Sequence, residues 1–245
     1  TTSLYAALNQ LDSSKKNIMT IEDPIEYQLE DIGQIQVNTK IGLQFATGLR
    51  HILRQDPDIV LVGETRDLET AEISIRASLT GHLVLTTLHT NDAPGSIIRL
   101  IDMGIEPYLL SSCLRGAMGQ RLVRCLCPKC REKSEVMPHE VEMLGEAGEK
   151  LIGKTVWKAS GKGCSHCLEG YTGRMGIYEL LVFSQEMKNA LREKDLNADD
   201  ITAMAKQNGM ISMIDDGISK VLEGKTSIEE RVAEARFLRA FMYFE

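Results

Sequence analysis

The sequence lacks the features that mark common classes of membrane, secreted and nucleic-acid-binding protein. It has no run of about 18 consecutive apolar residues, the length that spans a bilayer, and no basic, apolar and small-residue signal pattern at its start. A basic excess is also lacking, because the formal net charge is −7. Binding that neutralises nucleic-acid phosphates is therefore disfavoured. We expect a cytoplasmic protein that does not bind nucleic acid.

The remaining composition is that of an ordinary globular protein. Of the 245 residues, 43% are hydrophobic and 26% are charged, which argues against disordered and coiled-coil classes. This length can bury a real core with smaller appendages. Four of the six cysteines form two Cys-x-x-Cys pairs, and in an enzyme-like sequence that arrangement favours metal ligation over a disulfide framework.

The first half of the chain alternates between two hydrophobic periods. Short apolar runs rich in β-branched residues predict buried strands at Asn17–Ile21, Asp58–Val62 and His82–Leu88. Between them, apolar residues recur at helical spacing over Leu43–Gln55 and Leu68–Thr80. Strands that alternate with helices predict an α/β fold with a parallel sheet.

The second half changes in composition twice. A helix capped by Asn91 or Asp92 and a second helix over Pro107–Val123 complete a first domain, 1–124. Cysteine, glycine, lysine and glutamate then dominate a small domain, 125–175, with one helix over His139–Lys150. The last domain, 176–245, is predicted to be a helical bundle. Its helices are expected at Ser184–Arg192, Ala198–Gln207, Ser212–Leu222 and from Ser227 onward, with Arg231–Glu245 forming an amphipathic packing helix.

Each predicted strand ends at a side chain that can take part in catalysis. The first strand leads into Glu22 and Asp23, the second into Glu64, and the third into His89. Ligands of open parallel sheets bind at the carboxyl ends of the strands, and two acidic positions with a histidine suit a Mg-nucleotide site. The alternative is structural: Glu22 and Asp23 begin a turn, Glu64 caps a helix and His89 is an ordinary, partly buried histidine.

These residues lie in long motifs that occur in the same order along the sequences of one known family. The motifs are Ile21–Glu26, Leu53–Asp58, Leu61–Glu64 with Arg66–Ala71, Thr80–His82 with Thr87–Thr90, Gln120–Leu122, Gly173–Arg174 with Gly176–Glu179 and Asp216–Gly217. The sequence closely resembles the type II secretion and type IV pilus assembly ATPases, and the earlier motifs look like their Asp box, Walker B region and His box. The resemblance implies a RecA-like P-loop ATPase core with a small tetracysteine zinc domain and a C-terminal helical bundle.

The resemblance also implies roles for individual residues. Glu22 would polarise the attacking water, Glu64 would support Mg²⁺, His89 would sense the γ-phosphate and His82 would support that network. Asp23 and Arg66 would contact the nucleotide, ATP. These roles agree with the need for a general base within hydrogen-bond reach of the water.

The phosphate-binding loop of this family, Gly-x-x-x-x-Gly-Lys-Ser/Thr, does not occur in the 245 residues. The opening Thr1–Tyr5 is similar to the residues that follow the loop's lysine, so Thr1 would supply the Mg²⁺-binding hydroxyl. We therefore expect the chain to begin just after that lysine. Without the loop's amides and lysine, we expect the chain as printed to hydrolyse almost no ATP.

The cysteine pairs form the second strong motif. Cys127-x-x-Cys130 and Cys164-x-x-Cys167 offer the four thiolates of a closed tetrahedral zinc site. The 33 residues between the pairs exceed the usual zinc-ribbon spacing, so reduced or redox-active thiols stay an alternative. His166 could compete as a ligand.

Together these features predict an ATP-hydrolysing motor subunit of a homohexameric ring that drives pseudopilus assembly for type II protein secretion. The family implies inner-membrane secretion platform proteins as partners, and a place at the inner face of that membrane through those partners only. Three alternatives remain open: a type IV pilus extension motor, a non-catalytic zinc-stabilised assembly module, and a zinc-ribbon nucleic-acid binder, which the acidic balance disfavours.

Overall fold

The computed structural model describes residues 2–193, 196–229 and 239–244. The chain divides into two compact units. The first is formed by Thr1–Met118, Leu181–Asn208 and Arg239–Glu245, and the second by Gly119–Leu180 and Gly209–Leu238. No helix in the described parts of the chain is both long and apolar enough to cross a membrane.

A parallel sheet forms the centre of the first unit. Its strands are β1 (Ile18–Glu22), β2 (Gly33–Gln36), β3 (Ile59–Val62) and β4 (Leu83–Leu88), in the spatial order β2-β1-β3-β4. All four residues of β3 are buried, as expected of a parallel strand covered on both faces. The three strands predicted from sequence are thus confirmed to within one residue at each end, whereas β2 was not predicted.

Most helices of the first unit follow the predicted pattern, whereas the first of them was not predicted. The helices are α1 (Thr2–Leu8), α2 (Phe45–Ile52), α3 (Leu68–Leu79), α4 (Ala93–Asp102), α5 (Pro107–Cys113), α7 (Gln185–Glu193) and α8 (Ala198–Gln207). The Asp92 carboxylate caps α4 by accepting a hydrogen bond from the amide of Gly95, which confirms one of the two predicted caps. Leu4 and Leu8 of α1 pack with Ile18 and Leu61 of the sheet in one buried cluster.

Two predicted helices are partly wrong, because their later residues form strands. The helix predicted over Pro107–Val123 ends at Cys113, and β5 (Leu114–Leu126) follows it and pairs in the same sheet as β8 (Tyr171–Val182). The helix predicted over Arg231–Glu245 is wrong for Arg239–Phe244, which forms β9 and pairs antiparallel with β4; positions 231–238 and 245 lie outside the described residues. Aromatic residues such as Phe241 and Tyr243 favour a strand once a partner edge is present.

The second unit has its own small elements. Strands β6 (Glu132–Glu135) and β7 (Thr155–Lys158) pair antiparallel, with helices α6 (Pro138–Leu144) and α9 (Met213–Leu222). A buried cluster is formed by Leu151, Val156, Ile218, Val221 and Ile228. The compact units cut across the three predicted domains, because α7 and α8 belong to the first unit and α9 to the second. The three-domain division stays a prediction.

Candidate functional site

The carboxyl ends of β1, β3 and β4 lie side by side at one edge of the sheet. The registers pair Ile21 with Val62 and Val62 with Thr86, so the residues that follow these strands meet in space. They line a cavity of about 220 Å³. Five of the predicted site residues line it: Glu22, Asp23, Glu64, Arg66 and His89.

Gly63 lets two of these strands approach closely. Its amide donates to the Ile21 carbonyl at 2.8 Å, and its own carbonyl accepts from the Thr87 hydroxyl at 2.7 Å. A Cβ atom at this position would lie 3.2 Å from the Ile21 oxygen and 3.3 Å from the Glu22 Cα. Glycine is therefore the residue that fits between the two acidic positions.

Glu22 is buried, with 3% of its surface exposed. Its Oε1 accepts hydrogen bonds from Thr20 Oγ1 at 2.5 Å and from Gln34 Nε2 at 3.2 Å, and its Oε2 accepts one from the Tyr5 hydroxyl. Burial and the neighbouring Glu22 carboxylate together raise the pKa of Tyr5 to about 12. The hydroxyl of Tyr5 therefore stays protonated, and able to donate, across the whole physiological range.

The side chains of Arg66 and His89 both contact the same carboxylate oxygen of Glu64. Its Oε2 lies 2.7 Å from Arg66 Nε and 3.1 Å from His89 Nε2. The Glu64 side chain is only 10% exposed, whereas that of Arg66 is 64% exposed, so the guanidinium can leave without unpacking the core. Among the described residues, none donates a hydrogen bond to the other oxygen, Oε1, which leaves that oxygen for a cation.

One predicted site residue, His82, does not line this cavity. His82 precedes β4, seven residues before His89, or about 23 Å along a strand at roughly 3.3 Å per residue. Its Nδ1 lies 2.8 Å from the Ala77 carbonyl and 3.1 Å from Thr80 Oγ1, at the end of α3. The structure therefore does not place His82 in the network of His89. Thr1 lies outside the described residues.

Three residues around Glu22 were not identified from sequence as site residues. Thr20 could have been, because residues two apart on a strand share a face. Tyr5 and Gln34 lie 17 and 12 residues away from Glu22, and no local pattern links them to it. Their contacts arise only when α1 and β2 pack beside β1.

The four predicted zinc ligands form one cluster in the second unit. The sulfurs of Cys127, Cys130, Cys164 and Cys167 all lie within 4.8 Å of one another. Cys127 and Cys164 are 3.8 Å apart, Cys130 and Cys167 are 3.5 Å apart, and Cys164 and Cys167 are 3.6 Å apart. A tetrahedron with Zn–S bonds of about 2.3 Å has edges of about 3.8 Å, so these sulfurs fit a zinc ion.

The turns around this cluster point the sulfurs inward. Within each pair, the amide of the second cysteine donates to the carbonyl of the first. Ser160 donates to the Cys130 sulfur at 3.4 Å, a polar contact of the kind that orients a metal ligand. His166 is not part of the cluster; its ring contacts Ser165 instead.

The other two cysteines lie outside the cluster. Cys113 is fully buried in α5, and burial raises its pKa to about 12, as expected of a core residue. Cys125 is half-buried, and burial raises the pKa of its thiol as well. Neither thiol is activated for chemistry at neutral pH.

Comparisons with known proteins agree with this geometry. The family model described as type II/IV secretion system protein matches residues 1–233. The type II secretion system protein E of Pseudomonas aeruginosa is 53% identical over 231 residues, which are 94% of this chain and 45% of that protein. The type II secretion system ATPase E of Vibrio cholerae is 50% identical over 233 residues, which are 94% of this chain and 44% of that one. The chain thus spans less than half the length of these relatives.

A solved structure shares the fold. The crystal structure of the pilus retraction motor PilT with bound ADP matches with a TM-score of 0.64 at 29% sequence identity. The match covers 96% of this chain and 56% of that one. The α/β fold with a parallel sheet is therefore the fold of that motor.

Proposed function

The chain belongs to the type II/IV secretion system protein family, and from this premise we propose that it is the catalytic region of an ATP-hydrolysing motor that powers pseudopilus assembly for type II secretion. The observation that carries the proposal is the meeting of Glu22, Glu64 and His89 around one cavity at the carboxyl edge of the sheet. That edge is where nucleotides bind in this class of fold.

Each side chain at this edge of the sheet would have a separate role in phosphoryl transfer. A bound Mg²⁺ ion would neutralise charge on the phosphates of ATP. Glu64, with its Oε1 left without a donor, would hold that ion, and Arg66 would then exchange its carboxylate partner for phosphate oxygens. His89 would donate from Nε2 to the γ-phosphate. Glu22 would orient the attacking water and accept its proton.

The motor would also need a phosphate-binding loop, which the 245 residues do not include. The assay therefore compares the printed chain with a longer protein that carries such a loop ahead of Thr1, called the loop-containing protein below. We expect negligible ATP hydrolysis by the printed chain and turnover by the loop-containing protein, because backbone amides and a lysine supply much of the charge compensation.

Glu64→Ala in the loop-containing protein tests the role of the site. We expect turnover to fall at least about 100-fold, as when a group that stabilises transition-state charge is removed. Glu72→Ala is the matched control, because Glu72 is an exposed glutamate on the neighbouring helix and pairs with Arg76. Robust turnover by the printed chain would contradict the need for the loop, and robust turnover by Glu64→Ala would contradict the role proposed for this site.

The secretion branch rests on the relatives. Type II secretion proteins match at about half of all positions, whereas the retraction motor matches at 29%. We infer a homohexamer that acts in the cytoplasm at the inner membrane, attached through platform proteins, with structural zinc. Complementation by the loop-containing protein checks this assignment in two strains, one that lacks its secretion ATPase and one that lacks its pilus extension ATPase. Restored secretion supports the assignment, and restored pilus extension alone favours the pilus branch.

A further inference from the structure

Three donors from separate parts of the chain surround the Glu22 carboxylate. The Tyr5 hydroxyl comes from α1, the Thr20 hydroxyl from β1 and the Gln34 amide from β2. Tyr5 and Thr20 are fully buried. Hydrogen bonds stabilise a buried polar group only when its partners are held in place. Here each donor is held by the helix or strand that carries it.

The orientation of the Gln34 amide is set by the backbone. Its Oε1 accepts a hydrogen bond from the Leu29 amide at 2.7 Å, so the oxygen must face that N–H and the nitrogen must face the other way. The nitrogen then donates to Glu22 and lies 3.3 Å from the Tyr27 carbonyl. Gln34 thereby connects Glu22 to the loop that joins β1 and β2.

Tyr5 is the donor best placed to control the catalytic oxygen. Among the described residues, Oε1 of Glu22 accepts from both Thr20 and Gln34, whereas Oε2 accepts from Tyr5 alone. A carboxylate oxygen has two lone pairs, so Oε2 keeps one for a ligand in the cavity. The Tyr5 ring is packed edge to face against Tyr27, with centroids 4.6 Å apart, which restricts rotation of the hydroxyl away from Glu22.

Resting on the function proposed above, we propose that Tyr5 is a positioning residue for ATP hydrolysis. Its hydroxyl holds Oε2 of Glu22 toward the cavity, where that oxygen meets the attacking water. Tyr5 contacts neither the water nor the nucleotide in this role and acts only through Glu22. Loss of the hydroxyl should therefore slow the chemical step and leave nucleotide binding nearly unchanged.

Tyr5→Phe in the loop-containing protein tests the proposal, because it removes one oxygen and keeps the buried ring. We expect kcat to fall about 10- to 100-fold, since a small misplacement of a catalytic group has an effect of that size. The KM for ATP should change less than about twofold, because a residue that acts only on the chemical step changes kcat. The unfolding midpoint of the variant should stay close to that of the parent protein, which excludes a general loss of structure.

Tyr27→Phe is the matched control, since it removes a hydroxyl from the neighbouring ring. Tyr27 is 52% exposed, and this variant should leave kcat unchanged. In a Glu22→Gln background, Tyr5→Phe should cause no further loss, because residues that act as one unit are not additive. Equal kcat values for the parent and Tyr5→Phe, or additive losses, would overturn the positioning role alone. A loop-containing parent without ATP hydrolysis would overturn the proposed function and this inference together.

Discussion

Gly63 shows how one residue sets the spacing of the active edge. The Cβ of an alanine here would meet two backbone atoms, the Ile21 oxygen and the Glu22 Cα, at 3.2 and 3.3 Å. Backbone atoms of adjacent buried strands cannot give way as a flexible side chain can. The strand that carries Glu22 would have to move relative to the strand that leads into Glu64.

We therefore expect Gly63→Ala to lower the free energy of unfolding by about 1–3 kcal/mol, the usual range for overpacking, as measured by urea denaturation of the printed chain. Gly33→Ala is the matched control in another strand of the sheet. Its Cβ would lie 3.4 Å from the flexible end of Met19, so stability should change by less than about 0.5 kcal/mol. Equal losses for the two variants would show that the spacing at Gly63 has no special role.

At this scale, the sequence predicted the residues at strand ends but not the residues that contact Glu22. Glu22, Glu64 and His89 each follow a short apolar run, so their shared edge follows from strand geometry alone. His82 precedes the strand that His89 follows. The resemblance implied that His82 supports the network of His89, but an extended strand separates its two ends.

Helix α3 illustrates how the elements behind the site are stabilised. Asp67 precedes it, and its Oδ1 accepts a hydrogen bond from the Thr70 amide at 2.8 Å. Such a cap satisfies one of the amides that a helix start leaves without a partner. The helix connects β3 to β4, so its start determines where the chain turns after Glu64.

We expect Asp67→Ala to lower the free energy of unfolding by about 1 kcal/mol, the typical value of an N-cap, as measured by thermal or urea unfolding of the printed chain. Asp67→Asn keeps an oxygen acceptor and should cost much less. An equal loss of stability in both variants would contradict this expectation, because it would show that the charge of Asp67, and not its hydrogen bond to the helix, stabilises the protein.

Strand β5 shows why some elements escaped prediction. Leu114–Leu126 contains apolar residues that also fit a helix, but a Cβ at Gly116 would lie 3.0 Å from the Leu181 carbonyl. That close approach belongs to pairing with β8, which begins more than 40 residues after β5 ends. Pairing between distant segments decides the structure of such a segment, and local periodicity carries no information about it.

On the scale of the whole molecule, the two units differ in how they are held together. The first unit has an extended parallel sheet covered by helices, which is enough to stabilise a domain of its size. The cysteine pairs of the second unit lie in the connections between β5 and β6 and between β7 and β8, and the two-stranded β6–β7 sheet is short. Small modules of this kind usually depend on a metal ion or disulfides.

The only tryptophan of the sequence reports on this cluster. Trp157 lies in β7, and the guanidinium of Arg131, the residue after Cys130, stacks 4.4 Å from its ring centroid. Arg131 also donates to the Gly224 carbonyl, after α9. Displacement of Cys130 would therefore change the surroundings of the indole directly.

We expect elemental analysis to find one zinc per chain. A strong chelator should shift the Trp157 emission and lower the unfolding temperature of the second unit, because the free energy of metal binding contributes to the free energy of folding in such sites. Cys164→Ser should lose the zinc, since it removes one of the four sulfurs that lie within 4.8 Å of one another. Cys125→Ser should keep it, because Cys125 lies outside that cluster. Absence of metal after expression in zinc-replete medium would instead favour reduced thiols. The apolar cluster would then stabilise the second unit without a metal ion.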